Sequence, residues 1–72
     1  MITLKQLLMA WGEDTVFVVR EEFCTIRAKK SAFFTEELLK EALKMIVFNI
    51  IIKEDDEGSK TVYCFAMKGE AA

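Results

Sequence analysis

The side chains able to do covalent or acid–base chemistry are few and poorly assorted. The chain has two cysteines, Cys24 and Cys64, and no histidine. A cysteine or serine nucleophile needs a base to take its proton, and the usual base is missing; GxSxG, Walker and GxGxxG spacings do not occur either. Carboxylates and lysines could exchange protons, but they fall mainly on segments that read as turns or as the watered side of a helix. Two thiols without an imidazole also fall short of a four-ligand zinc site. The sequence therefore predicts no catalytic residue, no metal and no cofactor.

Three groups of residues invite a binding role. The acidic run Glu54, Asp55, Asp56 and Glu57 lacks the DxDxDG spacing and twelfth-position glutamate of a calcium loop. It reads as a solvated hairpin tip that could touch a basic surface and that discourages edge-to-edge aggregation. Arg27, Lys29 and Lys30, joined by Arg20, could form a small basic patch on the outside of a hairpin. That patch supports the alternative reading, a small nucleic-acid-binding module, but it is a thin electrostatic footprint for a chain of net charge −2. Residues 1–34 sum to +1 and residues 35–72 to −3, too mild an asymmetry to recruit nucleic acid at a distance.

The third group is apolar. Phe17, Val19, Ile51, the row Tyr63, Phe65 and Met67, and the pair Phe33 and Phe34 exceed what one small core needs. Hydrophobic residues make up 53% of the chain and the mean hydropathy is +0.21, both high for so short a sequence. Phe33, Phe34, Ile51, Tyr63, Phe65 and Met67 are accordingly the predicted protein interface, since aromatic residues and methionine are enriched at interface cores. The leading expectation is a non-catalytic protein-binding module of inhibitor or adaptor type. It would form a homodimer through an open sheet face or an edge strand and act by occupying a partner's surface. Small acidic antagonists of host machinery made by phages and mobile elements offer an analogy of size and simplicity only.

The elements that must position these residues begin with Thr3, which caps a helix over about residues 4–11. Gln6 completes a capping box, Ile2 and Leu7 a hydrophobic staple, and Gly12 is placed to end the helix in the left-handed conformation. Thr15 to Arg20 reads as a strand apolar on both faces. After a turn at Glu21 and Glu22 comes a second strand, in which Cys24, Ile26 and Ala28 alternate with Thr25, Arg27 and Lys29. Residues 30–34 read as a linker. Thr35 then caps a second helix whose apolar stripe is Leu38, Leu39, Ala42, Leu43, Ile46 and Val47. Glu36 can pair with Lys40, and the helix ends near Phe48 or Asn49. A strand from Ile50 to Glu54, a turn to Ser59 and a strand from Lys60 to Lys68 complete the chain, with Val62, Cys64 and Ala66 on one side of the last strand.

The predicted fold is α+β: a four-stranded, largely antiparallel sheet with two helices on one face, in the order αββαββ. Residues 1–68 form a single compact domain and residues 69–72 a loose tail. Both cysteines read as buried thiols, because a disulfide would need neighbouring strands with Cα atoms about 5.5 Å apart. The longest apolar run, Met45 to Ile52, is interrupted by Asn49 and is far below the roughly 20 residues of a membrane span. With no signal-peptide pattern at the N-terminus, Met1 reads as the native start and the expected compartment is the cytoplasm.

Overall fold

A computed structural model describes residues 2–69. Ile2–Thr3 (β1) is a two-residue strand that turns directly into a helix, Leu4–Leu8 (α1). The capping box forms as the sequence predicts: Gln6 N–H donates to Thr3 Oγ1 (3.2 Å) and Thr3 N–H to Gln6 Oε1 (2.9 Å). Leu4, Leu7 and Leu8 bury the helix's apolar side. The helix is shorter than the pattern suggests. After Met9 the chain unwinds through tight turns in which Ala10 and Trp11 donate to Leu7 and Leu8. Gly12 does not adopt a left-handed conformation, which among the described residues is taken by Gly58 (φ 85°) in the later hairpin turn.

Val16–Glu21 (β2) and Cys24–Lys29 (β3) form an antiparallel hairpin with Glu22 and Phe23 at its tip. Lys30–Thr35 (α2) follows at once, where the sequence reads as a linker. Phe33 is the reason a helix can form there: its ring is fully buried and ties this short segment to the core. Thr35 is consequently the last residue of a helix and not the cap of the next; its Oγ1–H donates back to the Ser31 carbonyl (3.2 Å).

The long second helix is replaced by two short pieces, Glu37–Lys40 (α3) and a 3-10 turn at Glu41–Lys44. Of the six stripe residues only Ala42 and Val47 are buried, and Leu38 is 90% exposed. Lys40 pairs with Glu37 (3.2 Å) and not with Glu36. The chain becomes extended at Met45, and Ile46–Glu54 (β4) starts four residues before the predicted strand. The β-branched residues of this stretch favour the extended state, and a long ladder to Lys60–Met67 (β5) secures it.

The fold is α+β, as expected, but the sheet has five strands and is mixed. Its order is β1-β4-β5-β2-β3, with the central pair, β2 and β5, parallel and the other neighbours antiparallel. The helical residues Leu4, Leu7, Leu8, Phe33 and Ala42 share one core with Phe17, Val19, Val47, Val62, Cys64 and Ala66. Those strand residues lie on one face of the sheet, so the helices cover that face alone. Gly69 follows β5 in close approach to Lys44, where an added Cβ would meet the Lys44 carbonyl oxygen. The rest of the predicted tail, residues 70–72, lies outside the described residues.

Candidate protein interface

The register fixes which side chains occupy the helix-free face. Phe17 and Val19 on β2, and Val62, Cys64 and Ala66 on β5, point into the core, so their alternates Val16, Val18, Arg20, Tyr63, Phe65 and Met67 point the other way. Ile51 lies opposite Tyr63 on the same side. Phe48 follows the inward Val47 and so lies on this face too, its ring 6.5 Å from that of Phe65; the bulge between Val47 and Asn49 shifts the rest of β4 by one residue and so puts Ile51 there as well. Phe48, Ile51 and Met67 are exposed, Tyr63 and Phe65 half-buried. Beside Phe48, Phe65 and Met67 the surface dips into an open groove of about 580 Å³ that reaches Phe23 at the hairpin tip and is bordered by Arg20 and Lys68. Lys53 Nζ lies 5.1 Å above the Tyr63 ring, a cation–π contact at the far end of the face.

Of the residues expected at an interface, Ile51, Tyr63, Phe65 and Met67 share this face. Phe34 is half-buried against the core on the helical side, away from this row. Phe33 is withdrawn from the surface altogether, because α2 turns its ring inward. Sequence reasoning missed Phe48, since placing it at a helix end hid the strand alternation that turns its ring outward after Val47. Phe23, 85% exposed, was missed as well, because it falls between the predicted turn at Glu21 and Glu22 and the alternating residues that begin at Cys24.

The basic residues do not form one patch. Lys30 is buried: its ammonium donates to the Trp11 carbonyl (2.7 Å) and lies 3.6 Å from Glu13. Lys29 lies 3.9 Å from Asp14, and Arg27 borders a shallow depression that it shares with Glu13, Asp14 and Asp55. The positive charges are interleaved with carboxylates, the reverse of what a phosphate backbone attracts. The acidic tip Glu54, Asp55, Asp56 and Glu57 is exposed as predicted. Asp55 Oδ1 accepts from the Glu57 and Ser59 N–H groups (2.9 Å each), so this carboxylate shapes the turn.

The two thiols differ. Cys64 is fully buried, and desolvation pushes its pKa up to about 11. Cys24 is exposed, contrary to expectation, because it stands beside the hairpin tip beyond the reach of the helices. Its Sγ–H donates to Glu21 Oε2 (3.3 Å), and this bond, with some burial and the Glu21 charge, raises its pKa. The cysteines are free, and the topology separates them: β3 and β5 flank β2 on opposite sides, about 9.5 Å apart at two strand spacings. Among the described residues no cluster of three metal-ligating side chains forms, and no helix is long and apolar enough to cross a membrane.

Comparison with known proteins adds no relative: no family model, no curated protein and no solved structure matches this chain.

Proposed function

We propose that this chain is a non-catalytic protein-binding module of inhibitor or adaptor type that self-associates and acts by occupying a partner's surface. The observation that carries the reading is the helix-free sheet face. There Phe48, Ile51 and Met67 stand exposed next to Tyr63 and Phe65, and the adjoining groove extends the apolar surface. A contiguous patch of aromatic and methionine side chains with charged residues at its border has the composition of an interface core and rim. The chemistry of the surface supports the non-catalytic part. Glu21 raises the pKa of the exposed thiol and so lowers its thiolate fraction, and the chain has no imidazole to activate it.

Replacing Phe65 by Glu places a charge in the middle of the face while leaving the core untouched. In affinity capture from cell extract, the wild-type chain should retain proteins that a Phe65→Glu variant of unchanged circular dichroism loses. The same set of proteins on both would contradict the proposal.

A further inference from the structure

The sheet has two free edges: the outer side of β3 is guarded by the charges of Arg27 and Lys29, whereas that of β4 is apolar at its centre. β1 pairs with Ile46 and Val47 only, so among the described residues Phe48 to Glu54 have no neighbour on that side. Ile50, Ile51 and Ile52 are exposed at 39%, 44% and 49%. The Ile50 N–H is satisfied by the side-chain Oδ1 of its neighbour Asn49 (2.9 Å) and not by β5. By the alternation of an antiparallel strand, Ile50 and Ile52 therefore turn their peptide groups to the free edge and Ile51 turns its own toward β5. Lys53, Glu54 and the bulge defend the two ends of this edge; its centre is three isoleucines.

We infer that this edge pairs antiparallel with the same edge of a second copy, about a two-fold axis at Ile51, joining two sheets into one of ten strands. The inference rests on reading the chain as a self-associating module and names the surface used. Three features select this partner and register. First, the free segment is bounded by β1 at one end and by the turn beginning at Asp55 at the other, so a two-fold at its midpoint, Ile51, uses all of it without a clash. Second, this register places Ile50 opposite the partner's Ile52, both on the helical side and both with peptide groups at the edge, so four backbone hydrogen bonds can form around the axis. Ile51 meets its own copy in the closely spaced, non-hydrogen-bonded pair at the centre. Third, charge permits it. Lys53 falls opposite Asn49, whose amide the new pairing releases, and the two lysines of the dimer stand about 13 Å apart along the strands. Moving the axis to Lys53 would oppose like charges, and moving it to Ile50 would collide with β1.

Sedimentation equilibrium tests this with charge-swapped variants on the solvent side of the strand. Wild type should approach twice the chain mass as concentration rises. Ile51→Lys and Ile51→Glu alone should each stay monomeric, because like charges meet at the axis, and an equimolar mixture of the two should regain the doubled mass. Ile52→Pro, which removes an edge N–H and no bond to β5, should also be monomeric, while Phe65→Glu should still dimerise. Concentration-dependent protection of the Ile50 and Ile52 amides from hydrogen exchange reads the same pairing without any substitution. A wild-type monomer at every concentration, a mixture that stays monomeric, or a dimer that survives Ile52→Pro would overturn the edge pairing. A dimer lost in Phe65→Glu but kept in Ile52→Pro would overturn it too, while leaving the helix-free face as the associating surface.

Discussion

At the scale of single residues, the two thiols and one buried lysine give the sharpest tests of the structure. Native protein should react with a thiol reagent at Cys24 alone, and Cys64 should become reactive only on unfolding. A Glu21→Gln variant should react faster at Cys24, since the carboxylate that raises its pKa is gone. Equal labelling of both cysteines in the folded state would contradict the burial of Cys64. That burial also has a pH signature. The Cys64 thiol ionises near 9.0 when unfolded and near 11 when folded. Its contribution to stability is complete below pH 9 and is lost as pH rises through the folded value, because the unfolded chain releases the proton first. Denaturant midpoints measured from pH 8 to 11 should therefore fall less steeply in Cys64→Ala than in wild type. Lys30 is the other case. Lys30→Met keeps the apolar stem but leaves the Trp11 carbonyl without its ammonium donor, and should lower stability by about 1 to 3 kcal/mol. A midpoint unchanged from wild type would mean that the bond contributes nothing.

At the scale of elements, local signals succeeded where they coincide with the tertiary contacts. Thr3 and Gln6 announce the start of α1, and the alternation of Val62, Cys64 and Ala66 one side of β5; the cap and the buried side are both present, although α1 ends early, at Leu8. The segment from Thr35 to Val47 misled because its leucines recur at helical spacing while the fold needs only a connection between two hairpins. Leu38 is left in water, and Ile46 and Val47, taken as the end of a helical stripe, open β4. Long-range pairing outweighed the local period. The contrast can be measured by thermal or denaturant unfolding. Thr3→Ala should cost about 1 kcal/mol through loss of the cap, whereas Leu38→Lys should change stability by no more than about 0.5 kcal/mol. A large loss in Leu38→Lys would place that leucine in contacts that the described structure lacks.

At the scale of the whole molecule, strand order decides what the surface offers, and strand order was not legible in the sequence. The parallel pairing of β2 with β5 joins residues 45 positions apart, such as Val16 and Thr61, and no local signal carries that information. Its consequence is large. With β5 and β2 at the centre, Tyr63, Phe65 and Met67 fall in the middle of the helix-free face, and β4 is pushed to a side where two-residue β1 covers only its start. The surplus of apolar residues was visible in the composition; the topology supplies the place where it is exposed. Face and edge adjoin along β4, so pairing at the edge would continue the apolar face across both copies and double the surface presented to a partner.

The central claim is that this surface associates, and the mass in solution tests it most directly. Light scattering coupled to size-exclusion chromatography, run across a concentration series, should show the mass rising from 8.3 kDa toward twice that value. A mass that stays at 8.3 kDa at every concentration would contradict self-association.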